Sequence, residues 1–72
     1  MFRAYHNKIW QNNYNICVDY ENTTGSIIEK RIKYNDYKIG DWYYNQLNKI
    51  KNGTLDEIKS TMIKKLISWC YQ

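Results

Sequence analysis

On either side of Asn52-Gly53-Thr54 the apolar side chains recur at helical spacing, and this commits the stretch from Ile39 to Trp69 to two packed helices. Ile39, Trp42, Tyr43, Gln46, Leu47 and Ile50 follow i, i+3, i+4, i+7, i+8, i+11, which lines one face of an α-helix. Gly40 sits in its first turn, where glycine costs least and a neighbouring backbone can approach closely. Beyond the break, Leu55, Ile58, Met62, Leu66 and Trp69 form a second stripe, flanked by Ile63 and Cys70. Asn52 or Gly53 suits the left-handed residue that ends a helix. Thr54 with Glu57 has the spacing of a capping box, and Asp56 and Glu57 favour the positive end of the helix dipole. The pattern predicts helices over about 38–51 and 55–70.

The N-terminal part is less regular. Trp10, Tyr14, Cys17 and Val18 share a face, with Ile9, Ile16 and Tyr20 beside it, and predict a helix over about 5–21. Asn12, Asn13 and Asn15 lower its intrinsic propensity, so tertiary packing must hold it. Asn22-Thr23-Thr24-Gly25 reads as a helix stop. Residues 22–37 mix β-branched Ile27, Ile28 and Ile32 with charged neighbours. They are expected to form an irregular, partly extended connection that drops one or two isoleucines into the core. The expected fold is all-α, a compact three-helix single domain over 1–72.

Composition narrows the function classes. No apolar run approaches the roughly 18–20 residues that span a bilayer, and MFRAYHNKIW has no apolar signal-peptide core, so a cytoplasmic protein with no membrane partner is expected. Two distant cysteines and one histidine, His6, cannot supply a four-ligand zinc site, and Cys17 and Cys70 are expected as buried thiols. No nucleophile–base spacing, phosphate-binding glycine loop or acidic cluster is present. The expectation is therefore no enzyme, no cofactor, no metal and no small-molecule substrate. The net charge of +4 suits a polyanion, although Ile, Asn, Lys and Tyr fill half the chain and Lys outnumbers Arg nine to two, a bias that A/T-rich codons alone can produce.

With these elements placed, the chain resembles the helicase-associated domain, a short three-helix module thought to bind nucleic acid. The resemblance rests on Trp10-x3-Tyr14-x2-Cys17-x2-Tyr20 in the first segment, then Gly25 and Ile28. It continues with Ile39-Gly40-Asp41-Trp42 and Gln46, with Lys51-Asn52-Gly53-Thr54-Leu55, and with Trp69 near the end. Three positions depart from the family pattern: Leu47 replaces an arginine, Ile50 an aromatic and Glu29 a proline. Loss of the arginine removes the family's most evident anion contact. The resemblance implies a three-helix fold and DNA or RNA as partner.

The residues themselves offer two basic groups for such a partner. Lys30, Arg31, Lys33 and Lys38 frame the connection, while Lys49, Lys51, Lys59, Lys64 and Lys65 lie outside the apolar stripes. Asn45, Asn48, Gln46 and Ser60 are expected hydrogen-bonding neighbours that fix register on phosphates, and Tyr44 is an expected surface contact. The plainer alternative for the lysines is a solvated helix face. Trp10, Trp42 and Trp69 lie on apolar faces and are expected in the core rather than as stacking platforms. The leading expectation is a non-catalytic module that contacts the phosphate backbone through basic helix faces. The alternative is a small phage or mobile-element effector, for example an anti-CRISPR, that inhibits a host nucleic-acid machine through a protein interface of exposed tyrosines and Leu47. A homodimer that buries apolar surface of the first segment is a third possibility.

Overall fold

A computed structural model describes residues 2–68, with side chains from Lys8 onward. Three helices form in order, α1 Phe2–Thr24, α2 Ile39–Asn52 and α3 Glu57–Lys64, and α2 packs against both others. The architecture is the expected all-α, three-helix one. Trp10 and Cys17 from α1, Ile28 from the connection, Ile39 and Tyr43 from α2, and Ile63 and Leu66 from the C-terminal part close a single core. His6, Trp69 and Cys70, named above, lie outside the described side chains.

Helix α1 extends past its expected 5–21 at both ends. Its C-terminus is fixed where turn chemistry placed it. Gly25 takes φ +67° and donates its N–H to Glu21 O at 2.8 Å, while the Thr24 hydroxyl donates to Tyr20 O at 2.7 Å. The connection is 25–38 rather than 22–37. It places Ile28 in the core and Ile32 against it, as expected. It also contains an element not anticipated. Tyr34 and Tyr37 exchange both backbone hydrogen bonds, at 2.8 and 2.9 Å, around Asn35 and Asp36, which both have positive φ. Positive φ at both central residues matches a type I′ turn, and Asn and Asp tolerate it better than other non-glycine residues. The Tyr34 hydroxyl donates to Asp19 on α1 at 2.8 Å, and its ring meets Tyr20 edge-on.

Helix α2 follows its stripe closely. Ile39, Gly40, Tyr43 and Gln46 are buried, and Trp42, Leu47 and Ile50 pack partly against the core. A side chain at Gly40 would collide with the backbone carbonyl oxygens of Glu29 and Lys30, so the close approach is real. Gly53 is the left-handed cap with φ +73°, and Thr54 N–H reaches back to Lys49 O at 2.8 Å.

Helix α3 departs most from the reading. It spans 57–64, not 55–70, and its N-cap is Asp56, whose carboxylate accepts from Lys59 N–H at 2.8 Å. Thr54 is occupied by the exit from α2, its hydroxyl facing Lys49 O, and aspartate is the stronger cap. The shorter helix is also rotated: Ile63 is buried, whereas Ile58 is 75 % exposed. Past Lys64 the backbone bonds tighten, Lys65 N–H to Met62 O and Leu66 N–H to Ile63 O, both at 3.1 Å. In a longer helix the N–H groups of Ile67 and Ser68 would bond carbonyls four residues back, but here both donate to the Glu21 carboxylate, at 2.7 and 3.1 Å. Glu21 is 4 % exposed; it continues the Trp10, Tyr14, Cys17 spacing by one step and so carries a carboxylate onto the inward face of α1.

Candidate nucleic-acid interface

An open groove of about 590 Å³ runs between α1 and α2 and reaches the start of α3. Its base is aromatic. Trp10 and Trp42 meet with ring centroids 5.5 Å apart at 59°, and the Trp10 indole N–H donates to Gln46 Oε1 at 2.9 Å. Tyr14 stacks on Trp10 at 5.5 Å, so this ring is held from several sides. Above the aromatic base stand Asn13 from α1, then Asn45, Asn48, Lys49 and Asn52 from α2, with Lys59 from α3. The spacing of 45, 48, 49 and 52 is again that of one helix face, here the polar one. The lining contains two lysines, four asparagines and no carboxylate.

Lys59 closes one side. Its ammonium lies 5.4 Å from the centroid of the Trp10 ring, within cation–π range, and 3.9 Å from Asp56 Oδ2. It separates the groove from a second one of about 470 Å³, lined by Trp10, Gln11, Ile58 and Met62 with Asp56 and Glu57. The basic and acidic recesses thus share Trp10 and Lys59.

Of the residues expected to meet a partner, Asn45, Asn48, Lys49 and Lys59 are brought together in the groove. Lys30, Arg31, Lys33 and Lys38 are exposed on the connection, Lys51 and Lys64 on α2 and α3, and Lys65 just past α3; none of these lines either groove. Gln46 also lines the groove, and two of the expected polar contacts already have partners within the chain. Gln46 is buried and accepts from Trp10, and the Ser60 hydroxyl turns to Leu55 O at 3.4 Å. Tyr44 is half-buried, packs edge-on against Tyr43 and lines neither groove. Among the tyrosines with described side chains, Tyr37 is the exposed one, at 53 %.

Asn13 and Asn52 were missed as lining residues. Asn52 carried a signal, because it extends the 45, 48, 49 stripe by one step. Asn13 carried none, since its place depends on how α1 crosses α2. The aromatic base was read as core, and Trp10 is indeed buried, while Trp42 keeps part of its ring exposed.

A separate polar cluster lies in the core. Glu21 also accepts from the Ser68 hydroxyl at 2.6 Å, and Ser68 Oγ in turn accepts from Ile28 N–H. Burial, then the Glu21 charge, pushes the Cys17 thiol up to about 12, so it is not a thiolate at neutral pH. The Tyr14 phenol is raised by burial, Glu21 and Cys17 in that order. Among the described residues no group of three or more His, Cys, Asp or Glu side chains is placed to hold a metal ion, and no helix is long and apolar enough to cross a membrane.

No model of a known protein family matches the chain, and neither a curated protein nor a solved structure matches it.

Proposed function

We propose that this chain is a non-catalytic nucleic-acid-binding module and that the groove across α1, α2 and α3 is its binding surface. The observation that carries the reading is the convergence of Lys49, Lys59 and four asparagines on an acid-free lining. Ammonium groups attract phosphate, and amides supply the neutral hydrogen bonds that fix a strand in register. The resemblance to the helicase-associated domain agrees with this reading. Its marker residues here have structural uses: Trp10 and Gln46 bond each other, Gly40 admits a backbone, and Gly53 caps α2. Leu47, where the family has arginine, packs against the core, so the anion contacts fall to the lysines.

The test is affinity for single-stranded and duplex oligonucleotides across a salt series, for the natural chain and for Lys49→Ala. Binding should weaken with salt, and Lys49→Ala should weaken it further. Absence of binding at low salt, or binding indifferent to salt, would overturn the reading.

One observation favours a second reading, a protein-directed effector. Ile58 is 75 % exposed beside Trp10 and Met62 in the adjoining recess, the kind of side chain a protein interface covers. A partner that survives nuclease treatment of a host lysate and is lost on Ile58→Asp supports this alternative.

A further inference from the structure

We infer that the groove reads the edges of unpaired bases and thus selects single-stranded nucleic acid; the inference rests on the nucleic-acid reading above. The first ground is stoichiometry. A surface that follows a duplex backbone needs many cations, commonly 6–10 phosphate contacts. This lining offers two lysines against four asparagines. Each asparagine amide presents both a donor and an acceptor, the combination that pairs bidentately with a base edge.

Shape is the second ground. The groove of about 590 Å³ is open, and Asn45, Asn48 and Asn52 stand exposed along its α2 side. It suits bases turned inward from a strand. Trp42 provides the third ground. It is half-buried and lines the groove, so it offers an aromatic surface beside the amides. Trp10 is already enclosed by Tyr14, Lys59 and Trp42 and serves as the support. Base–aromatic contact together with amide pairing is the ordinary means of holding an unstacked base. Lys49 and Lys59 then take the phosphates of the same strand.

The experiment measures binding of the full chain to homopolymeric oligo-dA, oligo-dC and oligo-dT, to oligo-rA, and to a duplex of mixed sequence, each over a salt series. The expected result is tighter binding to single strands than to duplex, with one base preferred. Asn45→Ala and Asn48→Ala should each reduce affinity for the preferred oligomer roughly tenfold and flatten the preference, with the salt slope unchanged. Lys49→Ala should weaken all oligomers alike and reduce the slope by about 0.7, the value of one phosphate contact on a single strand. Circular dichroism of each variant confirms that the helices are retained. Equal binding to duplex and single strands, or no base preference, overturns this inference and leaves the nucleic-acid reading standing. No binding to any oligomer overturns both. The deoxy and ribo arms distinguish DNA from RNA as the source of the strand.

Discussion

Glu21 and Ser68, 47 positions apart, are joined twice: the buried carboxylate accepts both the backbone N–H and the hydroxyl of Ser68, at 3.1 and 2.6 Å. With the Ile67 N–H on the other oxygen, α1 holds the chain just after α3 through one side chain. Neither end of this link makes sense alone. A carboxylate out of water is costly unless its lone pairs are filled, and the backbone N–H groups past α3 would otherwise lack partners.

Glu21→Gln should therefore destabilise the fold by about 1–3 kcal/mol, since an amide keeps one acceptor oxygen and turns an NH2 group toward a donor. Glu21→Ala should cost more. Urea midpoints for the three proteins check this. A midpoint for Glu21→Gln equal to that of the natural chain contradicts the assignment.

Cys17 sets a pH limit. Its folded-state thiol lies near 12 against an ordinary 9.0, so the folded state favours the protonated form. The stabilising contribution is complete below about pH 9 and is lost as pH rises toward about 12, at roughly 1.4 kcal/mol per pH unit. The raised Tyr14 phenol acts in the same direction. In a Cys70→Ser background, the stability advantage of Cys17 over Cys17→Ala should shrink between pH 9 and 11. The same protein should react with a thiol reagent at pH 8 only after denaturant is added.

Gly40 and Gly53 should respond differently to alanine. At Gly53 a Cβ meets no atom within 4 Å, and the cost is that of φ +73°, about 1–2 kcal/mol. At Gly40 the conformation is helical, but the Cβ runs into two backbone carbonyl oxygens that no rotamer can move. Gly40→Ala should cost about 3 kcal/mol or more, and thermal unfolding should rank it clearly below Gly53→Ala. The reverse ranking would contradict the close approach of the connection to α2.

The Trp10–Gln46 hydrogen bond is buried and links α1 to α2 beneath the groove. A double-mutant cycle with Trp10→Phe and Gln46→Leu should yield a coupling of about 0.5–1.5 kcal/mol. Additive effects would show that the bond contributes nothing beyond packing.

Part of the fold and of the candidate site is encoded locally. The inward stripe of α2 and its glycine cap follow from rules that act within a few residues, namely helical periodicity and the freedom of Gly53 at positive φ. The polar stripe Asn45, Asn48, Lys49 and Asn52 is the complement of that inward face, so half of the candidate site was legible too. The Asn35-Asp36 turn was legible in principle, because it holds a residue pair tolerant of positive φ between two tyrosines. Helix α3 was misread because two caps compete there. Thr54-x-x-Glu57 fits the rule, but Asp56 captures Lys59 N–H and Thr54 is taken up by α2.

The remaining decisions were long-range. That Asn13 and Lys59 join the α2 stripe depends on how α1 and α3 cross α2, which no spacing along the chain encodes. That Glu21 is buried depends on donors 46 and 47 positions away. The sequence by itself determined that two apolar faces would pack on either side of Asn52-Gly53-Thr54. Only the tertiary structure decided where the second of those helices ends. A carboxylate on α1 takes the N–H groups its continuation would need, and helix propensity cannot register a competitor that arrives from another element.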